Sequence, residues 1–407
     1  MTTALTGALG GIGAQLGLLQ LGGPAQKFTY ARSHPTQALP LIAHIYQNDG
    51  VTLIKTLSVL SRPAIIATTA NGGYEQLTLE LATKATGIST GNVLRLTEQG
   101  GDGSFIFGGV IEDIPDATAP DKVSHQLLVS PFAFELADTY VQVNYTVATD
   151  VSQMARDAFA ATAHCSCDQI SVPAATGITG MGDFRNMPAQ NLLDNARGIA
   201  GANWYWFVDE LGRGWFQPMG SGAIYTLMQG PDYQEQTTSR SIQQQKNDIL
   251  VIGGIPSGSA VQITSRYTGA SQSGVNGIGV RSLNPPIQVP GVVDQATLDA
   301  IAASLGAVLD QPWNRTDISV LSTFAKRLHG SQPGGGMVRY WQAAVPSLPE
   351  SEAGGGFVGP YILQKTEDNG LLQKVTAGNI PMTNQTDIDD MVQRLARNLL
   401  IGSLLPH

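Results

Sequence analysis

Several groups of residues in this chain have types and spacings that could do chemistry. Gly87-Ile88-Ser89-Thr90-Gly91 matches the G-x-S-x-G pattern, in which a serine on a strained strand-to-helix turn becomes an exposed nucleophile. The residues that follow, Asn92 to Leu96, read as another strand, and a Gly/Ser/Thr loop between two strands accounts for the same letters. His164-Cys165-Ser166-Cys167 with Asp168 gathers metal ligands, but a structural zinc site needs four donors, usually as two separated pairs. The other histidines, His34, His44, His125, His329 and His407, are scattered singly, so a helix end with buried thiols is the alternative. Glu112-Asp113, Asp209-Glu210 and Asp389-Asp390 are acidic pairs of the kind glycosidases use. Adjacent residues on a strand face opposite ways, so solvated turns and helix starts explain them better. Gly10-Gly11-Ile12-Gly13 has neither a preceding strand nor a following Lys-Ser/Thr, so it is not a phosphate loop. Trp204, Tyr205, Trp206, Phe207, Trp215 and Phe216 suit a sugar platform or a hairpin core, and the core reading leads. No catalytic, cofactor-binding or metal residue is therefore assigned, and no cofactor is expected.

The elements that must position these residues are mostly strands. With 47 Gly, 22 Pro and only 14% charged residues among 407, the chain is rich in turns and poor in salt-bridged helical surface. That balance suits short strands and surfaces buried in an assembly, and the length predicts two to four domains. A net charge of −9 excludes a basic footprint for nucleic acid. It keeps the protein soluble, or lines a channel that DNA passes without sticking. Cys165 and Cys167 are too close to form a disulfide framework. Met1 to Gln26 carries no charge and is broken by glycines, so neither a signal peptide nor a membrane span is expected, and the stretch reads as a terminal arm.

Along the chain, Leu77, Leu79 and Leu81 alternate with Thr78 and Glu80, which predicts a strand over Tyr74–Leu81 after the turn residues Asn71-Gly72-Gly73. Asn92–Thr97, Phe105–Ile114 and Val123–Leu136 follow as strands, at a spacing that suits a sandwich or small barrel. At Asp150 the period changes: Val151, Met154, Ala155, Ala158 and Phe159 predict a helix capped by Asp150 or Thr149. A second helix begins at Pro188 and carries Leu192, Leu193, Ala196 and Ile199 on one face, before the hairpin Trp204–Asp209 and Gly214–Gln217. Asp248–Gly253 is a strand, and Gly254 to Val289 has no readable period. Leu298, Ile301, Ala302, Leu305 and Leu309 predict a helix capped by Asp294. Thr316–Phe324 and Met337–Gln342 read as strands, Tyr361–Lys365 and Leu371–Thr376 as a hairpin about Asn369-Gly370, and Thr386 starts a last helix.

The order of these segments resembles the hub family of phage tails, including contractile baseplate hubs and tail-associated hubs of long-tailed phages. The residues that carry it are Asn71-Gly72-Gly73-Tyr74, Phe105 to Glu112, His125 to Leu136, Thr149-Asp150-Val151, Asn186 to Leu193 leading into Gly201 to Asp209, and Lys246 to Gly254. The resemblance implies a mainly β fold with an α/β insert: two hub-type β-barrels, a small α/β domain and a C-terminal helix. The division expected is an apolar arm over 1–27, a first barrel over 28–149, the insert over 150–220, a second barrel over 221–345 with its helix at 294–310, and completing strands and helix over 346–407. It further implies a non-enzymatic virion protein, made in the host cytoplasm, that forms a homotrimer matching a hexameric tail tube to a trimeric tip. Its partners would be the tube or distal tail protein, a spike or fibre, the tape measure protein, and DNA passing without specific binding. No lysozyme- or peptidase-like segment is read, so lysis is expected of another chain. The alternatives are a distal tail adaptor ring, and a hydrolase of envelope polysaccharide or peptide using Ser89.

Overall fold

The computed structural model describes residues 39–379 except 70–71, 84–85, 101–102, 120–121, 201–203, 230–231, 242–244, 276, 289–292, 294, 322–332 and 343–355. The N-terminal arm, Gly10 to Gly13, the Asp294 cap, Asp389-Asp390 and the last helix lie outside the described residues.

The first nine strands are β1 (Leu41–Tyr46), β2 (Leu53–Ser61), β3 (Ile65–Thr68), β4 (Gly73–Tyr74), β5 (Leu77–Leu81), β6 (Val93–Glu98), β7 (Phe105–Asp113), β8 (Asp116–Ala119) and β9 (Lys122–Pro131). Six of them close a barrel in the order β5-β2-β1-β6-β7-β9, with β9 returning to β5 from Leu77↔Val129 to Leu81↔His125. Closure follows from the alternation: Leu41, Ala43, Ile45, Leu57, Val59, Leu77, Leu79, Leu81, Leu94, Leu96, Phe107, Ile111, Leu127 and Val129 all fill one interior. Each such large side chain stabilises the fold by about 1.5–3 kcal/mol.

Two predicted strands differ from expectation. Tyr74–Leu81 is not one strand: β4 pairs with β3, and β5 enters the barrel. The chain changes sheets at Glu75-Gln76, where the Glu75 amide still bonds the Ile66 carbonyl. The strand expected to run to Leu136 stops at Pro131, after which a single 3-10 turn leads into α1 (Glu135–Asp138).

The next elements, which take in the stretch expected as the insert over 150–220, are β10 (Tyr140–Val141), β11 (Asn144–Asp150), α2 (Val151–Ala160), β12 (Thr179–Asp183), β13 (Met187–Pro188), α3 (Ala189–Ala200), β14 (Trp204–Val208) and β15 (Gly214–Pro218). Asp150 caps α2 by accepting from the Ser152 amide at 2.9 Å, and the same carboxylate takes the Thr176 and Gly177 amides. The apolar faces of α2 and α3 meet in one core with Trp204, Trp206, Val208 and Phe216, and that core also takes in Phe132, Leu136 and Val141.

The remaining elements are β16 (Ile224–Leu227), β17 (Tyr233–Ser241), β18 (Asp248–Ile252), β19 (Thr264–Thr268), β20 (Ile287–Gln288), α4 (Gln295–Leu309), β21 (Trp313–Leu321), β22 (Met337–Gln342), β23 (Gly356–Asp368) and β24 (Leu372–Gly378). A second closed barrel is expected here, and the described pairings correct this. The strands run β16-β22-β23-β24-β21-β17 and do not close by a ladder. The two end strands follow each other in sequence and are tied where they meet, the Met228 amide bonding the Asp232 carboxylate and the Asp232 amide the Met228 carbonyl. The ends therefore lie close together, and the sheet curls so that all six strands share one core of Leu227, Tyr233, Ile318, Val320, Val338, Tyr340, Leu363, Val375 and Ala377. One isolated bridge, Gln229↔Tyr233, lies within the same connection.

The segment around α4 also stands apart from that sheet. β18, β19 and β20 form a three-stranded sheet of their own, packed against α4. Part of the unreadable run from Gly254 is thereby ordered: buried Asn247 donates to Ser271 Oγ and to the Gly279 carbonyl, both at 2.9 Å, and accepts from the Arg281 amide.

Candidate functional site: the aromatic hairpin junction

β3 and β4 lie between β2 and β5 in sequence, yet β3 adds to the second sheet, pairing Lys365↔Thr68 through Asp368↔Ile65. The two large β units are thus joined by backbone. Arg62, just before β3, reinforces the join: its guanidinium reaches Glu98 of the barrel at 2.5 Å and Asp368 of the second sheet at 3.5 Å, with all three side chains at most 10% exposed.

The hairpin β14–β15 sits where barrel, insert and second sheet meet. All five residues of Trp204–Val208 are buried, which a strand with one face in solvent would not show. Alternation sends them into two cores. Trp204, Trp206 and Val208 enter the insert, with Trp204 packed on Phe216 at 5.1 Å and Trp206 Nε1 donating to Asp194 at 2.9 Å. Tyr205 and Phe207 face the other way, onto Ala67 of β3, Tyr74 and Met219. A glycan platform is excluded for Trp204 and Trp206 by this burial, and Trp215 donates its indole N–H to Asp209 at 3.0 Å.

The tip of the hairpin is pressed onto the barrel. A Cβ at Gly108 would stand 2.0 Å from the Glu210 carbonyl oxygen, so only glycine permits the approach. Gly72, at φ +60°, would meet the Trp206 ring in the same way, and its carbonyl accepts the Val208 amide at 2.7 Å. Glu210 is enclosed here and accepts the Tyr74 hydroxyl at 2.9 Å; burial, then the nearby Asp209 charge, raises its pKa. Asp209 turns back on the hairpin loop, accepting the Leu211 and Arg213 amides, so the two acids of the pair are held by different partners within one turn.

The His-Cys-Ser-Cys run lies along this tip, with the Ser166 amide bonded to the Gly212 carbonyl and the Gly214 amide to the Ser166 carbonyl. His164 is a staple: Nδ1 contacts the Glu135 carboxylate, Nε2 contacts the Asn48 carbonyl at 2.8 Å, and the ring stacks on Phe132. The Glu135 bond is the largest cause of its raised pKa. Cys165 points at the Phe132 carbonyl, and burial pushes its thiol up to about 12. Cys167 is also raised by burial. Among the described residues, no three His, Cys, Asp or Glu side chains converge as a metal site.

Ser89 occupies an exposed turn, its amide bonded to Asn92 Oδ1 at 2.8 Å, and β6 follows directly where a nucleophile elbow requires a helix. Glu112 and Asp113 end β7 in solvent, one accepting from Gln76 and the other capping Ile114. Among the described residues, these groups form a packed junction of the barrel, the hairpin and the second sheet. Arg62, Gly108 and the second face of the hairpin were not singled out from sequence; the Gly-Gly pair inside the β7 pattern is the signal that marks a close backbone approach.

The fold of this chain is similar to those of solved phage and prophage tail proteins. The 43 kDa tail protein of prophage MuSo2 from Shewanella oneidensis is similar at TM-score 0.53 and 11% identity, over 83% of this chain and 98% of that one. The prophage tail protein gp18 from Listeria monocytogenes EGD-e is similar at 0.53 and 14%, over 88% and 99%. The tail protein from Neisseria meningitidis MC58 is similar at 0.52 and 10%, over 84% and 96%. No protein-family model and no curated protein matches the chain.

Proposed function

We propose that this chain is a structural subunit of a phage tail, at the baseplate or tail-tip hub. In this reading a homotrimer matches the hexameric tail tube to a threefold tip and surrounds part of the DNA path. The observation that carries the reading is the pair of six-stranded units in one chain, one closed and one curled, held by the buried hairpin. Three copies would present six comparable units around an axis, and a closed ring satisfies every interface. Likeness to tail proteins over nearly their whole length supports it. The role is non-enzymatic: Ser89 lacks its helix, and the acids and thiols are committed to turns, packing and docking. The proposed partners are the tube or distal tail protein above, a spike or fibre below, and the tape measure protein within. The net charge of −9 suits a wall that passing DNA does not bind. The place of action is the virion tail, after synthesis in the host cytoplasm.

The test is the mass of the purified chain by light scattering across a concentration series, alone and with tail tube. Three chains per particle is the expected result. Six would favour a distal adaptor ring, and a monomer under both conditions would overturn the hub reading.

A further inference from the structure

The outer face of the second sheet carries an apolar surface that the described residues leave uncovered. Inward residues of β22, Val338 and Tyr340, enter the core, while Arg339 and Trp341 point outward. Trp341 meets its cross-strand partner Phe357 edge to face at 5.2 Å, and Phe357 is 50% exposed. Arg339 lies over the Phe357 ring at 5.2 Å and donates through Nε to Thr226 at 2.7 Å. Ile224 and Met228, 49% and 38% exposed, extend the surface along and beyond β16. Single exposed apolar residues are ordinary, but a Trp–Phe pair with Arg339 over it, beside the strand that exposes Ile224, has the composition of an interface centre.

A second uncovered surface lies at the β1–β2 turn of the barrel. Val51 and Leu53 are 80% and 53% exposed beside Asp49. The Asp49 carboxylate is held by the Val51 and Thr52 amides and the Thr52 hydroxyl, bonds that lower its pKa, led by the hydroxyl. Ladder pairing of β2 with β5 begins only at Val59, so among the described residues the strand start beside this turn is paired in a ladder with β1 alone.

We propose that these two surfaces meet between copies of this chain, the Asp49 turn of one copy seating on the Arg339–Trp341–Phe357 face of the next. The inference rests on the oligomeric hub reading and names its contact. Arg339 supplies positive charge on an apolar face of a chain with 32 acidic and 23 basic residues, and the Asp49 turn offers a carboxylate among apolar side chains. Face against identical face would set Arg339 against Arg339. A head-to-tail contact avoids that repulsion, and head-to-tail contacts are the ones that close into rings.

The test is sedimentation of the full chain with Asp49→Arg, Arg339→Glu, and both together. Each single reversal should weaken self-association about tenfold or more, and the double exchange should recover most of it. Asp49→Asn, which retains an oxygen for the turn bonds but drops the charge, should fall between wild type and Asp49→Arg, separating loss of charge from damage to the turn. Thermal melting checks that each variant is folded. If wild type assembles as three chains and the reversals assemble equally well, this contact is wrong and the hub reading stands. If wild type does not associate at any concentration, with or without tail tube, both fall.

Discussion

The His164 ring faces an acceptor at each nitrogen, a carboxylate from α1 and a carbonyl from the β1–β2 turn, so filling both bonds requires both ring protons. Its pKa is raised in the folded chain by the Glu135 bond, against burial and the more distant Arg95 charge. A raised folded value means the contact stabilises fully below the ordinary histidine pKa of about 6.5 and is lost as pH rises through the folded value. The urea midpoint of the wild type should therefore fall as pH climbs across that window, and His164→Gln should flatten the dependence. Gly108 makes a different demand, since its contact is with backbone that cannot rotate away. Gly108→Ala should cost about 3 kcal/mol in equilibrium unfolding, with the Asp209–Arg213 tip displaced from the barrel in hydrogen exchange. At this scale the sequence identified the right neighbourhood but not the partner of His164. The ligand types of His164, Cys165, Cys167 and Asp168 are visible in a sequence without making a site, whereas the Asn48 carbonyl that occupies His164 belongs to a distant turn.

Local order made some elements legible and distant order hid others. Leu77, Leu79 and Leu81 announce β5, and Asp150 with the apolar face of α2 announces the insert helix, because both signals lie within a few residues. The break at Glu75-Gln76 is invisible, because nothing local shows that the preceding turn belongs to another sheet. The unbroken aromatic run Trp204–Val208 hints at burial on both faces, yet only the fold shows which two cores receive it. Arg62 belongs to this scale as well, for it sets the edge of one sheet against the barrel of another. Arg62→Met should lower stability by about 3–5 kcal/mol, because it removes the cation between Glu98 and Asp368. Limited proteolysis should then cut first near Ile65–Thr68, and undiminished resistance there would refute a joining role.

The molecule as a whole depends on a pairing that spans most of its length. Thr68 finds Lys365, and Arg62 finds a carboxylate 306 positions away. A chain stopped after Gln342 should close its first barrel yet leave Ile65–Thr68 open to protease, whereas the full chain protects it. During synthesis at about 5–20 residues per second, β3 must wait on the order of 15–60 s for its partner to leave the ribosome. Through that interval the barrel exists with a bare strand edge, so the early nascent chain is a hazard for strand-to-strand aggregation, and the last strands made are the ones that end it.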